Sequence, residues 1–161
     1  MHQKLKIIFD GANVLFQRGQ FEIIVMSDRV PVIRDMPMIV KMIDGEMTSI
    51  DKGSKFSFTI RLNPVKTKNG KRHPIEQNRL KEWINNKLAS AGMDTEFVYN
   101  YEGLRISRKK DFIITLASVY AVGMCEVIDA LRFKESLYCG IGHSKGLGFG
   151  MLNIFANNSL I

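Results

Sequence analysis

The sequence predicts an α+β fold made of two similar halves, and three observations support this. A chain of 161 residues can form one ordinary domain or two small ones in contact. Its hydrophobic fraction of 45% is sufficient for a packed core. From about residue 55 to 155 the hydrophobic periodicity predicts strand, helix, strand, strand, helix, strand. That order is typical of the ferredoxin-like arrangement, which RNA-recognition (RRM-like) modules also use.

The N-terminal segment predicts the same unit without its first strand. Hydrophobic residues at helical spacing indicate a helix over 1–9, which Gly11 would end. Residues 21–25 alternate as in a strand, 30–34 allow another strand, and a short helix is possible at 37–43.

A missing first strand is expected because a helix that begins at Met1 has neither an N-cap residue nor a preceding hydrophobic staple. Since the first strand of a ferredoxin-like sheet is central, we expect residues 21–25 and 56–62 to lack a partner between them. We therefore predict that the sequence begins inside an element of the parent fold. The predicted division is an incomplete half, 1–54, and a complete half, 55–161.

The clearest strand is KFSFTIRL at 55–62, which alternates hydrophobic and polar residues. The segment 63–74, NPVKTKNGKRHP, predicts a basic loop with a turn at Asn69-Gly70. A helix follows, and its hydrophobic stripe consists of Leu80, Trp83, Ile84 and Leu88.

The second part of this half begins after Gly92, a typical helix stop. Strands are predicted at 95–107 and 111–122, around the basic turn SRKKD. A second helix is predicted at 126–138, followed by a glycine-rich loop and a strand at 150–155. Its expected hydrophobic residues are Val127, Ile128, Leu131 and Tyr138. Trp83, Phe56 and Phe58 are expected in the core rather than as platforms for base stacking.

The formal net charge of +7 favours phosphate-rich polymers or anionic membranes as partners. A merely soluble basic protein is the alternative. The sequence contains neither a hydrophobic run of transmembrane length nor a signal-peptide core, so we expect a cytoplasmic protein without membrane contact. Cys125 and Cys139 lie far apart, which predicts two buried thiols rather than a metal site or a disulfide framework.

The segment CGIGHSKGLGFG at 139–150 contains five glycines, one lysine and one histidine. Glycines leave the backbone uncovered and allow positive φ, so successive N–H groups can form a concave nest for an anion. The segment matches neither a Walker loop nor a dinucleotide fingerprint, because it follows a helix and precedes a strand. The alternative is a glycine-rich turn that only lets a helix pack close to a sheet.

Three stretches together resemble the repeat-processing endoribonucleases of CRISPR systems, most of all the CasE branch of the Cascade complex. They are GIGHSKGLGFGMLNI, FTIRLNPVKTKNGKRHPIEQNRLKEWINNKL and SVYAVGMCEVIDALRF. The resemblance covers residues 55–155 well and 1–35 weakly. It implies two ferredoxin-like halves in one chain.

The resemblance also implies a function. Members of the family bind the hairpin of a CRISPR repeat transcript and cleave the pre-crRNA at the 3′ base of the stem. The cleavage is a metal-independent transesterification that leaves a 2′,3′-cyclic phosphate and a 5′-hydroxyl. The enzyme then retains the crRNA within the Cascade complex. This implies RNA and other Cascade subunits as partners, and neither a cofactor nor a metal ion.

The same resemblance implies candidate catalytic residues. His2 matches the family's acid/base histidine on the first helix, and Lys145 matches its loop lysine. Relatives carry a tyrosine a few residues upstream of that histidine, which has no counterpart in the sequence because the sequence starts at Met1.

Candidate RNA-binding residues lie in three basic or glycine-rich segments, which as thin projections suit the narrow major groove of an A-form stem. They are Arg61, Lys66, Lys68, Lys71, Arg72, Arg108, Lys109, Lys110, Gly140, Gly142, His143, Gly146 and Gly148. His73 is expected to lie near a phosphate. For each cluster the alternative is a solvated run of charges.

Two other functions compatible with the sequence are a non-catalytic subunit that binds the RNA hairpin and an RRM-like protein unrelated to CRISPR. The second is disfavoured because the aromatic motif of RRM strands is not found on a central strand.

Overall fold

The computed structural model describes residues 2–18, 23–29, 32, 50–109 and 112–156. For His2, Arg18, Lys71, residues 105–109 and 112–114, and Ala156 it describes the backbone alone. The helices are α1 (His2–Ile8), α2 (Leu80–Ser90) and α3 (Ala130–Cys139). The strands are β1 (Val14–Arg18), β2 (Ile23–Ser27), β3 (Lys55–Leu62), β4 (Val65–Lys68), β5 (Lys71–Pro74), β6 (Met93–Lys109), β7 (Phe112–Val127) and β8 (Leu152–Ala156). Short 3-10 helices cover Gln77–Arg79 and Lys145–Leu147.

The main sheet has four antiparallel strands in the order β6-β7-β3-β8. With α2 and α3 as the connections, this is the ferredoxin-like order, so the predicted α+β class is confirmed. The expectation that β3 lacks a central partner is wrong, because β7 and β8 flank it on its two sides. The division of the chain at residue 54 stays a prediction.

The core lies between one face of this sheet and the two helices α2 and α3. The alternation in β3 places Phe58, Ile60 and Leu62 on that face, and all three are buried. The helices bury Ile84 and Leu88 from α2, and Phe133 and Leu137 from α3, in the same cluster. Phe56 and Trp83 are partly buried against this cluster, as predicted for core residues.

The start of α3 and its buried face differ from the prediction. Val127 extends β7 by pairing with Met93, and the helix begins only after Asp129. The Asp129 carboxylate accepts hydrogen bonds from the backbone N–H groups of Leu131 and Arg132, which fixes the N-terminus there. Leu131 is consequently 81% exposed, whereas Phe133 is buried.

Ile128 and Tyr138 are also exposed, so they do not belong to the hydrophobic stripe that the sequence predicted. Because a helix buries residues three or four apart, moving its first residue from 126 to 130 changes which side chains face the sheet.

The N-terminal segment contains α1 and a two-stranded antiparallel sheet of β1 and β2. The helix is confirmed, but strand β1 was not predicted, and the predicted strand at 21–25 begins at Ile23 and continues to Ser27. Leu5 of α1 and Phe16 of β1 belong to one buried cluster. The strand proposed at 30–34 and the helix proposed at 37–43 lie outside the described residues, apart from Val32.

The predicted basic loop at 63–74 is a β-hairpin, made of β4 and β5. Asn69 and Gly70 form its two-residue turn, and both have positive φ, at 51° and 72°. These are the backbone conformations of a type I′ turn, whose twist matches that of the flanking strands. None of the helices in the described part of the chain is long and hydrophobic enough to cross a membrane.

Candidate nucleic-acid interface

The glycine-rich segment 139–151 joins α3 to β8 and packs tightly at both ends. The Ile141 N–H donates to the Gly150 carbonyl at 2.8 Å, which closes the loop. Gly140 and Gly150 both have positive φ, and a Cβ at Gly140 would lie 2.9 Å from the Gly150 oxygen. Close packing, the alternative role considered for the sequence, therefore accounts for the glycines at the two ends of the loop.

The loop also packs against the N-terminal sheet. A Cβ at Gly148 would lie 3.0 Å from Cε2 of Phe16, and one at Gly140 would lie 3.2 Å from Cδ2 of Leu15. Phe149, whose role the sequence leaves open, is buried. The loop is thus held between β1 and the main sheet.

The outer part of the loop, residues 142–146, has a different character. Ser144 is in the left-handed conformation, with φ 64° and ψ 27°, and is followed by the 3-10 helix that begins at Lys145. The backbone N–H groups of 142–146 donate no hydrogen bond to another described residue. A left-handed residue followed by a right-handed helical one turns successive N–H groups toward one side, which is the geometry of an anion nest.

The side chains of this outer part face different environments. His143 and Gly146 are exposed, whereas Gly142 and Lys145 are partly exposed. The loop can therefore offer backbone N–H groups and the Lys145 ammonium group to one anion.

The backbone of α1 begins at His2, one turn before Leu5, which packs with Phe16. The Phe16 ring also contacts Gly148 of the loop. The helix that carries His2 and the loop that carries Lys145 thus meet on one side chain of β1. The His2 side chain lies outside the described residues.

The hairpin of β4 and β5 presents the basic side chains of Lys66, Lys68 and Arg72 to solvent. The backbone register places Lys66 opposite His73 and Lys68 opposite Lys71, so the cations occupy both strands up to the turn. His73 is exposed beside them, and the Lys71 side chain lies outside the described residues.

A second projection is formed by the outer ends of β6 and β7. Residues 103–109 pair with residues 112–118, beyond the part of β7 that pairs with β3. Arg108 and Lys109 are in the last pairs of this two-stranded arm. Their side chains, and the whole of Lys110, lie outside the described residues.

Arg61 differs from the other predicted RNA contacts because it is already paired. Its Nε and a terminal guanidinium nitrogen donate to the two carboxylate oxygens of Glu102, at 2.9 Å and 3.1 Å. The guanidinium carbon lies 5.2 Å from the centre of the Tyr120 ring, and Ser118 donates to the same carboxylate. The side chains of Arg61 and Glu102 are 13% and 18% exposed, so RNA would have to compete with Glu102 for Arg61.

Glu102 reaches Arg61 because of a β-bulge. The register between β6 and β7 shifts between Tyr101 and Gly103, which leaves Glu102 as the extra residue. Alternation along a regular strand would have placed consecutive side chains on opposite faces, so the sequence pattern gives no sign of this ion pair.

The two cysteines have different environments. Cys125 is buried, and burial raises the pKa of its thiol from 9.0 to about 11, against a smaller lowering by a hydrogen bond with the Phe56 backbone. Cys139 is exposed, so the prediction that both thiols are buried is wrong for it. It is the last residue of α3, where the chain leaves the core for the loop. Among the described residues no three His, Cys, Asp or Glu side chains are grouped as metal ligands.

The most open cleft in the described part of the chain has a volume of about 640 Å³ and lies between α2 and β6. Its lining includes Lys81, Glu82, Glu96 and Phe97, none of which belongs to the glycine-rich loop or the basic hairpin. We do not place the functional site there, because a structured RNA binds to projections and grooves of a surface rather than inside a small cavity.

The sequence of the chain matches the family of CRISPR associated proteins over residues 1–155. The chain belongs to this family. No curated protein sequence matches it significantly.

Solved structures of CRISPR proteins have the same fold. Cse3 of Thermus thermophilus, bound to an RNA representing a pre-cleavage complex, matches with a TM-score of 0.81 and 20% identity over 96% of this chain and 87% of that one. Cas6e from Escherichia coli K-12 matches with a TM-score of 0.79 and 21% identity over 96% and 90%. A chain of a CRISPR RNA-guided surveillance complex matches with a TM-score of 0.71 and 20% identity over 96% and 87%.

Sequence reasoning missed several residues that organise this site. Phe16, Ser144 and Glu102 act through contacts between segments distant in sequence. One signal was available for Asn63, the residue before Pro64, since a residue before proline is restricted to extended conformations and marks a fixed junction.

Proposed function

We propose that this CRISPR-associated protein is a metal-independent endoribonuclease that binds the repeat hairpin of pre-crRNA and cleaves it at the 3′ base of the stem. The products are a 2′,3′-cyclic phosphate and a 5′-hydroxyl. The observation that carries the proposal is the meeting, on Phe16, of the helix that begins with His2 and the loop that carries Lys145. The likeness to RNA-bound Cse3 supports the choice of an RNA substrate.

The reaction needs three things from the protein. The 2′-hydroxyl beside the scissile phosphate loses a proton as its oxygen attacks phosphorus. The 5′-oxygen gains a proton as its bond to phosphorus breaks. The crowded phosphorane between these events carries extra negative charge, which nearby positive charge and N–H donors stabilise.

The residues that we assign to these roles are His2 and Lys145. The imidazole of His2 serves as the acid/base group, since it is the side chain that titrates nearest to neutral pH. The ammonium group of Lys145 and the N–H groups of the outer loop stabilise the phosphorane. Loop residues Gly140, Gly142, His143, Gly146 and Gly148 surround this position.

The RNA stem is held by the two basic projections. The exposed Lys66, Lys68 and Arg72 contact phosphates from the hairpin of β4 and β5, and the arm contributes Arg108, Lys109 and Lys110. Such contacts give salt-dependent affinity with little sequence information. Arg61 joins them only if RNA displaces it from Glu102.

After cleavage the protein retains the crRNA and binds other subunits of the Cascade complex, as the match to a chain of a CRISPR RNA-guided surveillance complex suggests. These partners place its work in the cytoplasm. The chain is accordingly proposed to act in two ferredoxin-like halves, 1–54 and 55–161, with the RNA bound along the loop between them.

The test uses the full chain with a panel of end-labelled CRISPR repeat hairpins in the presence of EDTA. We expect one cut at the 3′ base of the stem of a cognate hairpin, with a product mass that corresponds to a cyclic phosphate. A hairpin with a single 2′-deoxynucleotide before the scissile phosphate is the matched control, and it should bind but not be cut. Cleavage of that control, or a requirement for Mg²⁺, would contradict the proposed chemistry.

A His2→Ala variant then separates the two functions that the sequence left open. We expect it to bind the hairpin with unchanged affinity and to lose cleavage. If the unmodified chain itself binds tightly and salt-sensitively without forming product over hours, the non-catalytic hairpin-binding function replaces the enzymatic one.

A further inference from the structure

Asn63 lies at a junction of three segments. It directly follows β3, it precedes Pro64 at the base of the basic hairpin, and its side chain contacts the glycine-rich loop. The residue is only 2% exposed, and its Oδ1 atom has no hydrogen-bond partner among the described residues. A buried amide with an unpaired oxygen does not optimise stability, so another reason for an asparagine here has to be found.

The contact with the loop is a hydrogen bond between side chains. The Asn63 amide donates to the Ser144 hydroxyl at 2.8 Å. Ser144 is the residue in the left-handed conformation that a residue with a side chain adopts only at a cost. The hydrogen bond therefore holds Ser144 where the chain must turn to place Lys145.

The same junction fixes the basic hairpin. The Val65 N–H donates to the Asn63 carbonyl, and the Ile75 N–H donates to the Pro64 carbonyl, both at 2.9 Å. Two residues before Asn63, the Arg61 carbonyl accepts a hydrogen bond of 2.7 Å from the Gly150 N–H. The base of the hairpin and the glycine-rich loop are thus both attached to the end of β3.

We propose that Asn63 is a positioning residue, which fixes the loop and its Lys145 at a set distance from the basic hairpin. This inference rests on the proposed function and deepens it. A stem that lies along the hairpin reaches the loop with a given phosphate only if that distance is constant. Reaction rates depend steeply on such placement, whereas binding through several phosphates does not.

The first experiment measures amide hydrogen exchange in the free full-length protein, and so needs no RNA. We expect Asn63→Ala to increase exchange at residues 142–147 and to leave β3 unchanged. Asp129→Ala is the matched control, because it removes the N-cap hydrogen bonds of α3 at the end remote from the loop and lowers stability without touching Ser144. Loop exchange that is unchanged in Asn63→Ala, or equally raised in Asp129→Ala, would overturn the proposal.

The second experiment measures single-turnover cleavage and hairpin affinity separately. We expect Asn63→Ala to slow cleavage about tenfold, the effect of losing roughly one hydrogen bond, with little change in Kd. Adding Ser144→Gly should restore most of the rate, because glycine adopts the left-handed conformation without a partner. A purely structural role for Asn63 would not be rescued in this way, so an unchanged rate or a failed rescue would overturn the proposal.

Failure of the proposed function gives a different result. If the unmodified chain does not cut any hairpin, the endoribonuclease proposal fails, while the hydrogen-exchange comparison still decides whether Asn63 orders the loop.

Discussion

The ring of Phe16 in β1 lies directly against Gly148 of the glycine-rich loop, at a separation that leaves no room for a side chain on the glycine. Because Phe16 also packs with Leu5 of α1, this contact ties the first helix to the loop. Any change that displaces one of them is expected to move the other.

We expect Gly148→Ala to lower the free energy of unfolding by about 2 kcal/mol and to weaken hairpin cleavage, because Gly148 has φ 89° and the new methyl group would lie 3.0 Å from Phe16. Gly53→Ala is the matched control, with φ 90° but nothing within 4 Å of the added Cβ. Urea unfolding of both variants measures the difference. Equal losses of stability would show that the Phe16 contact contributes nothing.

The hairpin lysines and Arg61 should respond differently to removal. We expect Lys68→Ala to reduce the salt dependence of hairpin binding, with a slope of log K against log[salt] smaller by about 0.7–0.9, and to leave stability within about 0.5 kcal/mol. Arg61→Ala should instead cost on the order of 2 kcal/mol of stability, because it leaves the partly buried Glu102 carboxylate without its partner. Filter binding at several salt concentrations and urea unfolding measure the two quantities. A salt slope reduced by Arg61→Ala at unchanged stability would favour a direct RNA contact.

Alkaline pH should destabilise the protein through Cys125. Its pKa in the folded state is raised to about 11 by burial, so the unfolded chain loses the thiol proton first and stability falls between about pH 9 and pH 11. Below pH 9 the contribution is fully present, and its total is roughly 2–3 kcal/mol. We expect Cys125→Ala to show a smaller fall in stability than the unmodified protein over this pH range, under reducing conditions. Parallel pH profiles for the two proteins would contradict this account.

Asn153 should couple the N-terminal sheet to the main sheet. Its amide donates to Gln17 of β1 at 3.0 Å and to Thr59 of β3 at 3.3 Å, and Gln17 is buried. We expect Asn153→Ala to cost about 1–3 kcal/mol, because it leaves the buried Gln17 amide without this partner. A double-mutant cycle with Gln17→Ala should show coupling of about 0.5–1.5 kcal/mol. The exposed Asn100→Ala is the control, and additive effects of the two substitutions would refute the coupling.

The sequence by itself determined the features that depend on neighbouring residues. The alternation of Phe56, Phe58, Ile60 and Leu62 predicted β3, and the Asn69-Gly70 pair predicted the turn of the hairpin. These features follow from local backbone preferences and from a repeat of two residues, which any short stretch displays. The motifs of the glycine-rich loop and of the segment around Asn63 also carried the resemblance to CRISPR proteins, which the family match confirms.

Only the tertiary structure decided which side chains meet. It paired Arg61 with Glu102 through a bulge, placed Asn63 beside Ser144, and turned Leu131 of α3 to solvent. Each of these depends on contacts between residues far apart in the sequence, or on a shift of one to four residues that local preference does not specify. The catalytic roles of His2 and Lys145 stay predictions. The physical reason for the division is that local patterns fix the elements, whereas packing between elements fixes their faces and partners.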